Sequence, residues 1–312
     1  MRTIGRGQRT RATEGGARRA GAAAGVVLAA MLLGGCDGSG PGGGVHTSTG
    51  SVSSRSATSS TSSTSSTFST FSTSSAATGT VVLSTAGLQV SGSVGTTQLA
   101  QVLAEARVAR TWVARTWPTQ VAAAGTVRVQ VAANAAQFAR LRGGVPESDD
   151  LAASTTASGD VVIGPAVMQG LTAQGQQVVL AHEITHVVLR QTTRTGLARW
   201  VVEGSAEYTA YRWTGLSLGA ACPTLAADVR ADRLPAGPPP DAAFSGGQQQ
   251  GAYQDAHAYM NFLVDRFGEN AWKQFVLATS SGSTDAFGAD FDGATTTGLR
   301  AAYAAFLRHT VG

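Results

Sequence analysis

The chain has 312 residues, 43% apolar and 6% aromatic, with 39 glycines, a balance too glycine-rich and aromatic-poor for all of it to be core. Its 23 basic and 19 acidic residues give +4, but Arg2, Arg6, Arg9, Arg11, Arg18 and Arg19 precede residue 20 with only Glu14 against them, leaving 17 basic and 18 acidic residues from Cys36 onward. That balance excludes the electrostatic footprint of a nucleic-acid binder, and two cysteines, Cys36 and Cys222, exclude a multi-disulfide scaffold and a cysteine-based zinc cluster.

Residues 1–19 are basic and 20–35 apolar and small, the order of a secretory signal and shorter than the ~20 residues of a membrane span. The apolar run ends in Leu33-Gly34-Gly35-Cys36, which resembles the lipobox of bacterial lipoproteins. The resemblance implies a lipid-modified Cys36 as the first mature residue, a protein at the bacterial cell surface on the outer face of the cytoplasmic membrane, and membrane contact through the anchor alone. Cys222 is then left without an intramolecular partner and is expected as a small buried hydrophobe.

Residues 36–80 form a linker, Gly/Pro-rich and then almost pure Ser/Thr, with Arg55 the only charge from Gly38 on. Such a stretch buries too little apolar area to offset its ordering entropy and is expected to be a disordered spacer, with a root-mean-square reach of roughly 35 Å.

Residues 81–312 are the size of one domain. Thr96–Arg115 has apolar residues at helical spacing behind a Thr cap, and Thr126–Ala132 alternates like a half-buried strand, so helix then strand is the expected opening. Asn134–Leu141 reads as a short helix, Gly159–Gly164 as a short strand, Thr172–Leu189 as a long helix and Leu197–Trp213 as another. Leu216–Gly251, rich in Gly, Pro and Gln, reads as an irregular excursion. Ala252–Phe267, Glu269–Thr279 and Leu299–His309 return to helical periodicity.

The stretch that carries chemistry is His182-Glu183-Ile184-Thr185-His186, inside the apolar run VVLAHEITHVVL. On a helix the two histidines stand one turn apart on one face, close enough for both to ligate one zinc ion. Glu183, about 100° around, reaches a water at the metal without taking a coordination position. Two satisfied core histidines are the bland alternative, but that reading leaves three polar groups in an apolar helix, each costing ~1–3 kcal/mol if unpaired.

A catalytic zinc needs a third protein ligand. Leu189 and Thr192 stand where the metzincin pattern requires Gly and His, so the ligand must come from the next helix, whose WVVEGSAEY carries Glu203 and Glu207 one turn apart. Acids at this spacing are usually solvated surface, but Trp200, Val201 and Val202 beside Glu203 mark this face as inward. One carboxylate then binds metal while the other accepts the N–H of a ligand histidine, and Gly204 lets a facing helix approach closely.

HEITH followed by WVVEGSAEY resembles the gluzincin-type zinc metallopeptidases. The resemblance implies an α+β fold, with a small mixed sheet in the N-terminal half packed on a zinc-site helix and a mostly helical C-terminal half. It implies one Zn2+ per chain on His182, His186 and Glu203, with Glu183 as general base to a zinc-activated water, Glu207 behind a ligand histidine, and a peptide or protein as substrate. It also sets Asp160–Gly164 along the substrate cleft and asks a later helix for an oxyanion donor, for which Tyr253 is favoured over His257 and Tyr259. The amine-capturing G-x-M-E-N segment of the aminopeptidases of this family is absent from the chain. A non-catalytic zinc-containing binding or sensory lipoprotein is the alternative reading, and Leu216–Gly251 is a candidate rim for the substrate.

Overall fold

In the computed structural model, residues 72–75, 79–143, 151–165, 170–194, 196–245 and 249–311 are described; the leader, Cys36 and most of the Ser/Thr-rich stretch lie outside them. Six strands, β1 (Ser72–Ser75), β2 (Val81–Thr85), β3 (Leu88–Gly92), β4 (Val127–Val131), β5 (Ala153–Thr155) and β6 (Asp160–Ile163), form one mixed sheet ordered β1-β2-β3-β4-β6-β5. β3, β4 and β6 run parallel, and antiparallel strands flank them on both sides. The domain therefore opens with an antiparallel hairpin, ahead of the helix expected first. Its turn holds Gly87 at φ 74°, where a side chain would also collide with the Arg110 guanidinium. The sheet reaches back to Ser72–Ser75, so these four residues of the expected spacer are paired backbone.

The long helix α1 (Thr96–Thr116) buries Leu99, Val102, Leu103, Ala106, Ala109, Trp112 and Val113, an i, i+3, i+4, i+7 stripe in which each fully buried Leu or Val contributes ~1.5–3 kcal/mol. Gly95 rather than a threonine occupies its N-cap, with no side-chain hydrogen bond. Pro118, its missing N–H harmless in a first turn, starts α2 (Pro118–Ala124), and Asn134 caps α3 (Ala135–Leu141) by accepting from the Gln137 N–H.

Helix α4 (Ala173–Leu189) is buried on nearly every side, which its apolar sequence requires. Thr172 caps its start, and Arg190, left-handed at φ 55°, ends it where the sequence predicts. It packs on α1, α2 and β5 on one side and on α5 (Arg199–Tyr211) on the other.

The segment expected to be irregular contains α6 (Leu218–Ala221), α7 (Pro223–Arg230) and a 3-10 turn at Asp241–Phe244. Two of these are a turn or little more, too short for periodicity to mark them. Helix α8 (Gln249–Ser280) is broken at Gly268, φ 85° and ψ 158°, at the boundary read from sequence. Short α9 (Ala286–Asp290) and α10 (Arg300–Thr310) close the chain. The architecture is α+β, with the sheet in the N-terminal half against α1 and α4 and helices after it.

Candidate metal centre

His182 and His186 project from α4 with ring centroids 4.7 Å apart. Helix α5 carries Glu203 to meet them: its Oε2 lies 3.4 Å from His182 Nε2 and 3.5 Å from His186 Nε2. All three residues are at most 1% exposed, and their donor atoms lie within 4.8 Å of one another. Donors that share one tetrahedral ion at ~2.0–2.1 Å stand ~3.4 Å apart. The carboxylate-to-imidazole separations match that spacing and are too long for hydrogen bonds. Both Nε2 atoms and both Glu203 oxygens have no hydrogen-bond partner among the described residues, a costly arrangement in a buried site unless an ion fills it.

The far side of the His186 imidazole is held by a hydrogen bond. Gln191 Oε1 lies 2.8 Å from His186 Nδ1, and its Nε2 donates to Ser205 Oγ at 3.0 Å. An amide oxygen only accepts, so His186 carries its proton on Nδ1 and turns the Nε2 lone pair inward. Glu207 Oε1 stands 3.1 Å from His182 Nδ1, close enough for an ion pair, although neither atom has a hydrogen-bond partner among the described residues.

The electrostatics have the same origin. Burial alone would depress His182, but Glu203 and Glu207 beside it outweigh that and push its pKa up to about 10. Burial likewise works to raise Glu203, and the two imidazoles overcome it, holding the carboxyl down to about 2. The imidazoles and the carboxylates beside them thus favour one another's charged forms.

Glu183 stays outside the triad. Its Oε2 accepts a hydrogen bond from Thr155 Oγ1 on β5, and the same hydroxyl lies 3.2 Å from its carbonyl oxygen. The strand expected along a substrate cleft, β6, is paired on both sides, to β4 and β5, so the sheet edge beside α4 is β5. Sequence inspection gave no strand there because only three residues, Ala153–Thr155, form it, next to a Thr/Ser/Gly turn.

Among the candidate donors, Tyr253 lies with its ring 6.3 Å from that of His182, and its buried hydroxyl, like that of Tyr259, has no hydrogen-bond partner among the described residues. Burial and the nearby Glu203 carboxylate raise its pKa well above the ordinary value, so it remains a phenol. His257 instead stacks on Tyr211 and sets Nδ1 3.5 Å from Cys222 Sγ. Burial lowers its pKa to about 3, which keeps it neutral. Tyr259 packs among Trp200, Phe262 and Tyr303, and Cys222 is fully buried, as expected.

No family model matches the chain, and no curated protein matches it. Among the described residues no helix is long and apolar enough to cross a membrane.

The donor set, two imidazoles and one carboxylate buried together, can bind a metal ion. Thr155, Gln191 and Arg199 were not singled out from sequence. Each meets the site across a tertiary contact, and no spacing along the chain announces it.

Proposed function

We propose that this protein is a zinc-dependent metallopeptidase with a zincin-like, gluzincin-type centre, tethered outside the cell through Cys36. What carries the reading is the Glu203 carboxylate poised 3.4 and 3.5 Å from the two imidazoles of H-E-x-x-H, with Glu183 beside them but held apart by Thr155. Two imidazoles and one carboxylate suit Zn2+ and leave one tetrahedral position for water. Bound there, zinc would supply Lewis-acid polarisation of the scissile carbonyl and a water acidified to pKa ~7.

The protein's own groups do the rest. His182, His186 and Glu203 hold the ion, Gln191 and Glu207 fix the imidazoles, and Glu183 takes a proton from the attacking water and passes it to the leaving amine. Tyr253 donates its phenolic hydrogen to the developing oxyanion. The tether is supported by the basic and apolar leader that ends at Gly34-Gly35-Cys36.

The deciding experiment loads the purified chain with Zn2+, counts metal by mass spectrometry and screens a peptide library for cleavage. One zinc per chain and turnover are expected, with Glu183→Gln retaining zinc and losing cleavage by at least ~10³-fold. Zinc without turnover on any peptide leaves a binding module, and a chain that takes up no zinc ends the enzymatic reading.

A further inference from the structure

Helix α5 begins at Arg199, one turn before Glu203, and its start is fastened to the 216–251 segment at three points. The Arg199 backbone N–H donates to Asp241 Oδ1 at 2.9 Å, its Nη1 donates to the Phe244 carbonyl at 3.2 Å, and its guanidinium lies 5.2 Å over the Phe244 ring. Asp241 thereby caps a helix whose own N-cap, Ala198, offers no side-chain bond, and its negative charge suits a helix start. Its Nη2 has no hydrogen-bond partner among the described residues and stands 3.8 Å from Glu203 Oε1, whereas Oε2 is the oxygen paired with the histidines. Phe244, fully buried, also packs edge-on against Tyr253 at 5.4 Å.

We infer that Arg199 is a positioning residue for the metal-binding carboxylate, and that the Asp241–Phe244 turn acts on the metal centre through it. By attracting Oε1, Arg199 leaves Oε2 alone to face the imidazoles and makes Glu203 a one-oxygen ligand. The turn holds Arg199 from behind and Tyr253 from the side. Part of the insertion is therefore a clamp on the site, in addition to any role at the substrate rim. This inference rests on the zinc reading above.

Its sign separates it from simple charge repulsion. A cation near a dication weakens binding of the dication, so if Arg199 acted only through its charge, removing it would tighten zinc. If it orients Glu203, removing it loosens zinc, by about 10–100-fold as for other partners that orient metal ligands.

The full-length chain, stripped of metal, is titrated with Zn2+ against a chromophoric chelator and with Co2+ followed by visible absorption. Arg199→Met is expected to weaken zinc 10–100-fold and to lower the cobalt band intensity as Glu203 turns to two-oxygen binding. Arg199→Lys, which keeps a cation within reach of Oε1, recovers part of the affinity. Asp241→Ala, which touches no ligand, weakens zinc in the same direction by a smaller factor. Zinc binding by Arg199→Met equal to or tighter than that of the unaltered chain, with unchanged cobalt bands, overturns the inference and leaves the zinc reading intact. Should Arg199→Met fail to fold, unchanged zinc affinity in Asp241→Ala overturns it as well, and an unaltered chain that binds no zinc overturns both.

Discussion

Tyr253 is where one hydroxyl group separates chemistry from packing. Its ring leans on Phe244 and lies close to His182, and Tyr253→Phe keeps that ring while removing the only hydrogen it could donate. If the hydroxyl serves the oxyanion, kcat falls about 10²–10³-fold with KM and zinc affinity little changed. Unaltered kcat would return Tyr253 to a packing role. Stability is expected to hold or rise slightly, because the buried hydroxyl has no partner to lose among the described residues. At this scale the sequence was informative wherever chemistry lies along one helix. The turn-spaced pairs His182/His186 and Glu203/Glu207 could be read because helical geometry alone sets their faces. Gln191 and Thr155 escaped because each earns its role only when the chain folds back: Gln191 bridges His186 to Ser205, and Thr155 reaches Glu183 from a strand 28 residues away.

Elements bring these residues together, and α5 meets α8 closely at Gly204. A Cβ there would lie 2.9 Å from the Ala256 carbonyl oxygen and 3.0 Å from Met260 Cγ, so α5 rests directly on the backbone of α8. Gly204→Ala gains helix propensity of up to ~1 kcal/mol but must force the helices apart, an overpacking cost of ~1–3 kcal/mol. The expected outcome is a net loss of about 1–2 kcal/mol in urea unfolding and weaker zinc binding, since Glu203 is the neighbouring residue. A variant as stable as the parent would mean that the contact gives way without strain. Sequence periodicity located α4, α5 and the break in α8 at Gly268 because long apolar stripes and a lone glycine at a helix end are strong signals. It missed the β2–β3 hairpin, because burial alternates only along β3, at Leu88, Val90 and Gly92, while β2 buries Leu83 alone, too few apolar positions beside a Ser/Thr-rich linker to mark two strands. It also missed α6 and α7, whose four and eight residues offer too few turns to stand out from a Pro/Gly-rich background.

For the whole molecule, the α+β class was legible from the order of periodic segments, while sheet order and the strand at Ser72–Ser75 were not, because strand pairing joins residues far apart in the chain. The same distant packing makes stability depend on pH through Asp255 on α8. Burial first, and then Asp228 on α7, raise its pKa from the ordinary carboxylate value of 3.8 to about 7; among the described residues Tyr303 of α10 and Cys222 also lie in electrostatic reach, and both are neutral near pH 7. Below pH ~4 the folded and unfolded chains both hold the proton, and Asp255 contributes nothing. Between pH ~4 and ~7 the unfolded chain releases the proton while the folded chain keeps it, so stability falls as pH rises, reaching a penalty of up to about 4 kcal/mol above pH 7. Asp255→Asn removes the titration and keeps the shape. In urea unfolding the variant should therefore gain on the parent at pH 8.5 far more than at pH 4. The metal centre titrates alike in both proteins, so it cancels from the comparison. An equal difference in stability at the two pH values would mean that Asp255 ionises in the folded protein as an ordinary carboxylate.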